Sequence, residues 1–275
     1  YELSVNWRDR IHDFRYHIGF NLAYAKNKIV FQDEVPYPYD YMRKTGKPVG
    51  QQMGYKYDGF FSEEDVAKYE TERGKSIPDH GTGYIPKPGD VKYKDLNNDH
   101  KIDQYDVAAI GYPVYPLLTG GINLGFSYKG FDFSMTWSGA TKVSRLLDDI
   151  FREPFGATDS RSLMKYMIDD MWTPEKGNSA KAPAISFTNK VNNYRDSDLW
   201  LRDASYLRLK NVEIGYNFPK KILSKINIGS LRVFATGYNL LTLDKLKIVD
   251  PESRPNGNAM YPVVMVINMG LKVGF

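Results

Sequence analysis

The sequence predicts an all-β fold, a transmembrane antiparallel β-barrel with long extracellular loops. Three observations indicate it. The chain ends in a stretch that alternates between apolar and mostly small or polar residues as far as Phe275, and about ten alternating residues are enough for a tilted strand to cross a bilayer. The same period of two recurs in six earlier segments. The connections between these segments alternate between short and long, which is typical of barrels with short periplasmic turns and long outer loops.

Composition excludes several other classes. The mean hydropathy is −0.49, and the longest apolar run, 263–267, is far shorter than the roughly 20 residues of a membrane-spanning helix. The chain has no cysteine, which excludes disulfides, thiolate metal sites and cysteine nucleophiles. Its net charge of +4 is small and dispersed, which argues against a nucleic-acid partner.

Two strands begin the chain. They are predicted at 1–8 and 14–25, with a polar turn at 9–13. In the second strand, apolar residues from Phe14 to Tyr24 alternate with small or polar ones, as expected for a wall between lipid and a water-filled lumen. His17 lies on the polar side, and the four histidines have no metal-ligand spacing. We therefore interpret His17 as a lumen-facing residue.

Five further strands follow. The strands at 118–128 and 131–140 form a hairpin around Lys129-Gly130. A strand at 204–218 changes phase near Lys210, which indicates a bulge. A basic turn at 219–229 leads to strands at 230–240 and 262–275. The long loops are then 26–116, 141–203 and 242–260, with short helices expected at 62–73 and 159–172.

The position of these strands within a barrel can also be predicted. Seven strands in an open sheet would leave two unpaired edges in lipid, so we expect further strands before Tyr1 and a longer chain, of which this is a piece. The terminal residues Leu271, Val273 and Phe275 share the apolar face of the last strand. We interpret them as the terminal signal for barrel assembly.

The 26–116 loop contains a motif that resembles a cation-binding loop. Oxygen-bearing side chains occupy positions 1, 3, 5, 9 and 12 of the spacing by which an EF-hand-like loop surrounds Ca²⁺, and position 7 offers its backbone carbonyl. The predicted ligands are Asp95, Asn97, Asp99, Lys101, Asp103 and Asp106. Position 6, where the chain must bend sharply, is His100 instead of Gly. The alternative is a metal-free loop held by Asx turns.

Aromatic residues of the loops are candidates for contact with a substrate or a partner. They are Tyr37, Tyr39, Tyr41, Trp172 and Trp200, whose rings suit stacking on sugars as well as packing within the loops. Adjacent carboxylates at 148–149 and 169–170 cannot be placed across a cleft from sequence. No catalytic residue is therefore predicted, and we expect a protein that is not an enzyme.

Several motifs together resemble a known family. They are WRD (7–9), FNLAYAKNK (20–28), GQQMGYKYDGF (50–60), GDVKYKDLN (89–97) with Ile102-Asp103, YKGFD (128–132), WLRDASYLRLKN (200–211) and GLKVGF (270–275). These segments resemble the carboxy-terminal third of SusC/RagA-type TonB-dependent transporters of Bacteroidota. The resemblance covers essentially the whole chain.

The resemblance implies a barrel of about 22 strands in the Gram-negative outer membrane, of which the chain supplies the last seven. The N-terminal plug of that family is absent from this sequence. The implied function is import of a glycan or peptide, driven through the TonB complex, with a SusD-like lipoprotein over the loops. A dimer of transporter–lipoprotein pairs and contact with outer-membrane lipid are also implied.

Two other classes share parts of the pattern. A soluble carbohydrate-binding β-sandwich, or a secreted glycosidase module with a dockerin-like calcium loop, would also be rich in tyrosine and alternating strands. It would bury one face of every strand. A diffusion porin would share the barrel without needing loops of this length.

Overall fold

A computed structural model describes residues 1–155, 162–253 and 263–275. Its strands are β1 (Glu2–Ile11), β2 (Phe14–Tyr24), β3 (Gln52–Gly54), β4 (Tyr57–Phe60), β5 (Val91–Tyr93), β6 (Ala108–Ile110), β7 (Leu118–Tyr128), β8 (Phe131–Thr141), β9 (Ser144–Leu146), β10 (Leu201–Asp203), β11 (Tyr206–Asn217), β12 (Ser230–Asp244) and β13 (Val266–Gly274). Its helices are α1 (Glu63–Glu72), α2 (Asp149–Arg152), α3 (Lys165–Asp170), α4 (Lys190–Asn193) and α5 (Lys220–Leu223). None of the helices in these residues is both long and apolar enough to cross a membrane.

The long strands form a single antiparallel sheet. Its order is β1-β2-β7-β8-β11-β12-β13, so every long strand pairs with the next long strand along the chain. The register is continuous except between Leu209 and Asn211, where it shifts against both neighbours. This confirms the bulge predicted near Lys210. The antiparallel all-β class predicted from the sequence is confirmed.

The sheet has two chemically different faces. One rung crosses all seven strands through Trp7, Ile18, Leu124, Met135, Val212, Gly237 and Ile267. The adjacent rung on the other face consists of Arg8, His17, Gly125, Ser134, Glu213, Thr236 and Asn268. Successive residues point to opposite sides of a strand, so the alternation in sequence becomes an apolar face and a polar face.

The apolar face is not covered by another sheet in the part of the chain that the structure describes. The remaining sheets are two-stranded pairs of short segments: β3 with β6, β4 with β5, and β9 with β10. Large apolar residues on the main sheet stay exposed, among them Ile214 at 53% and Leu271 at 64%. A soluble sandwich would bury these side chains. The architecture therefore contradicts the sandwich alternative and suits a sheet in contact with lipid.

Several strand boundaries differ from those predicted. β1 continues to Ile11 because Asp9, Arg10 and Ile11 pair with Tyr16, Arg15 and Phe14. The predicted turn at 9–13 is thus reduced to two residues, with His12 in the left-handed region at φ 55°. β12 extends past 240 to Asp244, and β11 begins at Tyr206, two residues later than predicted. Residues 201–203 form a separate short strand that pairs with β9. The last strand begins at Val266, and residue 262 of its predicted range lies outside the described residues.

The two hairpin ends of the sheet are unlike each other. At one end, the connections are His12-Asp13, Lys129-Gly130 and the segment 218–229, which contains α5. Lys129 and Gly130 both have positive φ, 45° and 92°, as a tight type I′ hairpin turn requires. At the other end lie the long loops. Antiparallel order forces this separation, because each strand reverses the direction of the one before it.

Most of the buried side chains lie in the long loops and not in the sheet. We call the described residues 25–117, 142–205 and 245–253 the loop cap. One cluster contains Phe60, Val91, Tyr93, Ile102 and Ala180; a second contains Val143, Leu147, Ala182, Trp200, Ala204 and Leu246. Each cluster joins different loops. The loop cap is therefore a packed unit at one end of the sheet.

Two local predictions concern helices of the loop cap. α1 begins where the sequence predicts, because Ser62 and Asp65 form a reciprocal capping box. The helix predicted at 159–172 is observed only as α3, which ends at Asp170. Its predicted first residues, 159–161, lie outside the described residues.

Candidate functional site

A buried polar network joins the first two long loops. The Asn193 amide donates to Asp90 Oδ1 at 2.7 Å and accepts from the Val91 N–H at 2.9 Å. The Asn192 amide donates to the Val91 carbonyl at 2.9 Å. Tyr93 donates to the Asn192 carbonyl at 2.7 Å. Buried amides are stable only when bonded, so these contacts fix the position of one loop on the other.

His80 belongs to the same network. It is 3% exposed, and its Nδ1 lies 3.0 Å from Asn192 Oδ1. Because an amide oxygen only accepts, Nδ1 carries the proton. Burial lowers the pKa of His80 to about 4, although the bond to Asn192 opposes the shift. His80 is therefore a neutral packing residue near pH 7 and not a ligand or a base.

The predicted tyrosines form a partly buried cluster. The rings of Tyr39 and Tyr41 stack with centroids 5.3 Å apart, and Tyr105 meets Tyr39 edge-on at 6.3 Å. Tyr41 donates to the Tyr105 carbonyl at 2.7 Å, and burial raises the pKa of Tyr41 to about 12. Tyr37 is also partly buried. The structure therefore brings Tyr39 and Tyr41 together, and their contact with a substrate stays a prediction.

The two predicted tryptophans are engaged within the loop cap. Trp200 is 3% exposed and its indole N–H donates to the Asn193 carbonyl at 3.1 Å. It has no free ring face for a sugar, so its predicted contact role is corrected to a packing role. Trp172 packs against Gly89, where an added Cβ would lie 2.6 Å from the indole ring. Trp172 remains partly exposed.

The predicted calcium loop is held by its own hydrogen bonds. Asp95 accepts from the N–H groups of Asn98 and His100, both at 2.7 Å. Asn97 accepts from Asp99 N–H at 3.1 Å, and Asp99 accepts from Lys101 N–H at 2.9 Å. Asp103 accepts from Tyr105 N–H at 2.8 Å. The bonds of Asn97, Asp99 and Asp103, each to the N–H two residues on, are Asx turns, as the metal-free alternative expects.

Asp106 anchors the end of this loop. It is fully buried and accepts from the N–H groups of Leu96 and Asp103 at 2.7 and 2.8 Å. Burial raises the pKa of its carboxyl, and these two bonds oppose the rise. Within the described ranges, no three His, Asp or Glu side chains are gathered closely enough to hold a metal. Ca²⁺ binding by this loop stays a prediction.

A second network, which sequence reasoning missed, fixes the third long loop. Arg208 on the polar face of β11 is 2% exposed and forms ion pairs with Asp250, at 2.6 Å, and with Glu252. Lys210 also pairs with Glu252, at 2.6 Å. We call these groups the Arg208 network. It pulls residues 245–253 onto the wall of the sheet, so this loop lies over the polar face.

Exposed apolar residues of the loop cap are a further feature that the sequence did not indicate. Val30 and Phe31 are 87% and 82% exposed and lie in a segment without regular secondary structure. Val35 follows on the same segment and is also exposed. Neighbouring exposed apolar residues of this kind mark interaction surfaces. We call Val30, Phe31 and Val35 the apolar segment.

The predicted assembly signal lies at the edge of the sheet. Val273 and Leu271 pair with Leu231 and Val233 on the apolar face of β13. Phe275 follows β13 and is fully exposed. Their role in assembly stays a prediction.

Comparisons with known proteins cover the entire chain. A scan against protein-family models finds no match. The chain is 28% identical to a TonB-dependent receptor of Formosa agariphila, a match that covers 100% of this chain and 28% of the receptor. It is 25% identical to the TonB-dependent receptor SusC of Bacteroides thetaiotaomicron, covering 100% of this chain and 26% of SusC. The chain thus spans little more than a quarter of the length of these relatives.

Solved structures agree with this similarity. The RagAB peptide importer in its open-open state matches 100% of this chain and 28% of the matched chain, with a TM-score of 0.72 and 21% identity. The closed-closed state of the same importer matches with a TM-score of 0.69. At this level of identity the structural match concerns the fold. The strands and the loop cap are both included in it.

Proposed function

The chain is a segment of a SusC/RagA-type TonB-dependent β-barrel of the outer membrane, and from this premise we propose that the full protein imports a large nutrient, a glycan or a peptide. Energy for import would reach the barrel through TonB. The relatives are receptors and transporters, and the chain is not an enzyme. The polar face of the sheet lines the lumen and the loop cap lies on the outer side.

One observation carries this proposal: the similarity extends over the long loops as well as the strands. A porin-like wall needs only the alternating strands. Here three loops pack into one cap through two apolar clusters and the network around Asn192 and Asn193. Such an ordered cap supports selective capture of a nutrient over free diffusion.

A SusD-like surface lipoprotein is the proposed partner. The apolar segment supports this, because Val30 and Phe31 expose large apolar surface on the outer side of the barrel, where burial against a second protein would be favourable. A dimer of transporter–lipoprotein pairs is part of the same proposal. The RagAB structures, which are named as a peptide importer, favour a peptide, and a glycan stays the alternative that the family resemblance implies.

The test uses the full-length transporter in its native outer membrane. Cells that carry or lack its gene are supplied with labelled peptide mixtures or labelled oligosaccharide mixtures, with TonB present or depleted. We expect uptake of one of these two classes that requires both the transporter and TonB. Uptake that persists without TonB would contradict the proposal and favour a diffusion pore.

A further inference from the structure

The apolar face of the sheet contains a groove near the loop cap. Its floor is Gly120 on β7 and Gly139 on β8, which are register partners. On the outer sides of these strands, Leu22 of β2 pairs with Gly120 and Leu207 of β11 pairs with Gly139. The groove has a volume of about 210 Å³ and opens toward the membrane. We call it the outer groove.

Large apolar side chains form the walls of the outer groove. Leu22 and Leu207 lean over its floor, because the Cδ1 atom of each lies 3.2 Å from the position of a Cβ added to the adjacent glycine. Leu118 closes the end nearest the loop cap, and Phe20 and Ile122 close the opposite end. No carboxylate or basic side chain lines it in the part of the chain that the structure describes. The groove therefore suits a hydrocarbon chain.

Neither a turn nor a bulge accounts for the two glycines of the floor. The register of β7 and β8 continues without a shift through Gly120 and Gly139, and neither residue has a positive φ. Glycine inside a strand weakens it and often marks a place where another group approaches closely. An unfilled hollow on this face would lose dispersion contacts, so we expect a hydrocarbon group to fill it.

The outer groove lies in the half of the sheet that belongs to the outer leaflet. Gly120 is close to the start of β7 at Leu118, and Gly139 is close to the end of β8 at Thr141. Both ends continue into the long loops. At a rise of about 3.4 Å per residue, the floor lies about 7 Å below these strand ends. An acyl chain in the groove would therefore have its headgroup at the level of the loop cap.

A lysine crosses the rim of the outer groove at that level. Lys142 follows β8, and its Nζ lies 5.3 Å from the ring centroid of Tyr24 on β2. Because β7 separates β8 from β2, the lysine side chain spans the end of the groove. Within the described ranges no carboxylate forms an ion pair with Lys142, and the nearby Asp203 pairs with Lys245 at 3.2 Å. An anionic headgroup would thus meet a charge that is not already neutralised.

We propose that the outer groove and Lys142 bind one molecule of the phosphorylated, multiply acylated glycolipid of the outer leaflet, the lipid A part of lipopolysaccharide. One acyl chain occupies the groove, where its burial is favourable, and a phosphate contacts Lys142. The position near the loop cap argues against a phospholipid of the inner leaflet. The cation at the rim argues against the acyl anchor of a lipoprotein, which has no phosphate.

The experiment uses the purified full-length transporter in phosphatidylcholine nanodiscs. The probe is bisphosphorylated lipid A with a photoactivatable diazirine on an acyl chain. After illumination, mass spectrometry identifies the peptides to which the probe is attached. Unlabelled lipid A, dephosphorylated lipid A and a triacylated lipopeptide serve as competitors.

One variant fills the outer groove from its walls. It carries Leu22→Phe and Leu207→Phe. The glycines are left unchanged, because an added Cβ would lie 2.7 or 2.9 Å from a carbonyl oxygen of the neighbouring strand and would distort the sheet. The matched control carries Leu124→Phe and Leu231→Phe, which enlarge two apolar residues elsewhere on the same face.

A second variant removes the charge at the rim. Lys142→Gln is compared with Lys129→Gln, because Lys129 also lies over a tyrosine ring, with its Nζ 5.2 Å from the centroid of Tyr128. Lys129 is at the opposite, short-turn end of the sheet. Both lysines have positive φ, 56° for Lys142 and 45° for Lys129, so the two substitutions place the same strain on the backbone.

We expect the probe to label residues 118–122 and 137–141 of the wild type preferentially and to be displaced by unlabelled lipid A. Labelling there should fall about fivefold or more in the filled variant and about threefold or more in Lys142→Gln, because apolar burial or one charge contact is lost. Both controls should label as the wild type does. Dephosphorylated lipid A should compete less well than lipid A for the wild type and equally well for Lys142→Gln.

Four results would overturn the proposal. One is even labelling over the whole apolar face of the wild type, as expected for lipids in random contact. Another is labelling of the groove that persists in the filled variant or in Lys142→Gln; if the filled variant does not fold, Lys142→Gln alone decides. The third is a lipopeptide that displaces the probe better than lipid A does. The fourth is a groove covered by a second transporter, seen as cross-links between two copies. None of these results depends on nutrient import, so the proposed function is tested separately.

Discussion

Two adjacent asparagines, Asn192 and Asn193, hold together loops that lie about a hundred residues apart in sequence. Each uses both its amide donor and its amide acceptor, and their partners are buried backbone groups, the Asp90 carboxylate and the His80 imidazole. Polar side chains hold these loops together because a loop has many backbone N–H and C=O groups that need hydrogen-bond partners once water is excluded. The same reasoning explains the Asx turns of the 95–106 loop, where short side chains bond to N–H groups nearby in sequence.

The bend at His100 leads to the first prediction. His100 adopts φ 62°, a left-handed conformation that costs a residue with a Cβ about 1–2 kcal/mol. His100→Gly should therefore stabilise the 95–106 loop by about 0.5–1 kcal/mol after the greater chain entropy of glycine is subtracted. Slower amide hydrogen exchange across 95–106 in the full-length transporter is the expected readout.

Asn98→Gly is the matched control for this change. Asn98 has φ 60°, but asparagine tolerates this region, so little change is expected. Faster exchange in the His100→Gly variant would contradict the prediction. Ca²⁺ binding, which stays a proposal, is tested in the same experiment. If the loop binds Ca²⁺, amide hydrogen exchange across 95–106 should slow when Ca²⁺ is added. If Asx turns alone hold the loop, exchange should be the same in Ca²⁺ and in EDTA.

The second prediction concerns the pH dependence of the Arg208 network. Burial alone would raise the pKa of Glu252, but hydrogen bonds from Lys210 and Tyr206 and the charge of Arg208 hold this pKa below its ordinary value. Because the pKa of Glu252 is lower in the folded state than in the unfolded chain, its stabilisation is complete above the unfolded-state pKa and is lost as the pH falls through the folded-state pKa. The protection of the amides of residues 245–253 against hydrogen exchange, corrected for the intrinsic effect of pH, should therefore be constant from pH 8 to 5 and fall only below about pH 4.3.

Substitution of Arg208 tests the same network at constant pH. Arg208→Met leaves Asp250 and Glu252 without their buried partner, which should cost the loop about 3–5 kcal/mol. Lys247→Met removes an exposed charge whose partner Asp244 lies 3.7 Å away, and it should change stability by less than about 0.5 kcal/mol. Equal exchange rates at 245–253 in both variants would show that the network does not hold this loop.

At the level of elements, each long strand separates two environments. β8 illustrates this: Met135 lies between Leu124 and Val212, whereas Ser134, one residue earlier, lies between Gly125 and Glu213. The bulge at Lys210 preserves this separation, because the extra residue on β11 moves Leu209 back to the apolar face. Without the bulge, the upper half of β11 would turn its leucines toward water.

The third prediction compares these two neighbouring positions. Met135→Arg places a charge toward lipid near mid-strand and should cost about 2–4 kcal/mol. Ser134→Arg places the same side chain toward the lumen, beside Glu213, and should be tolerated. The amount of folded barrel in the outer membrane, measured by the gel shift between heated and unheated samples, is expected to fall only for Met135→Arg. Similar losses for both variants would contradict the assignment of the faces.

At the level of the whole molecule, the sheet and the loop cap are stabilised differently. The sheet exposes both faces in this chain and depends on backbone pairing and on the surrounding lipid. The loop cap has its own apolar clusters and buried polar bonds, as a small globular unit has. A rigid cap on a barrel can hold a partner surface in a constant position.

The fourth prediction tests that partner surface. Val30→Asp combined with Phe31→Asp places charges where we propose that the lipoprotein binds. The affinity for the lipoprotein should fall about tenfold or more, because large apolar anchors dominate such interfaces. Ile222→Asp with Ile226→Asp, two exposed apolar residues at the opposite end of the sheet, is the control. Biolayer interferometry on purified proteins measures both, and equal affinities would contradict the assignment.

The sequence by itself determined the seven long strands, the strict order of short and long connections, the bulge and the cap of α1. These features depend on neighbours in sequence: a period of two, a glycine in a tight turn, or a serine three residues before an aspartate. The continuation of β1 to Ile11 was missed, because Asp9 and Arg10 look like a turn until their pairing with Tyr16 and Arg15 is known.

Only the tertiary structure decided what the loops do. Arg208 and Glu252 are 44 residues apart, and a local sequence pattern compares only residues that are close in sequence. Trp200 looks like an exposed aromatic residue in the sequence, and only the fold shows that its indole is buried and bonded to Asn193. Arg232 likewise looks like an ordinary polar position until strand pairing brings it to Asp132 and Glu213. Contacts between distant segments depend on how the chain closes its loops, and the side-chain period of a strand carries no information about that.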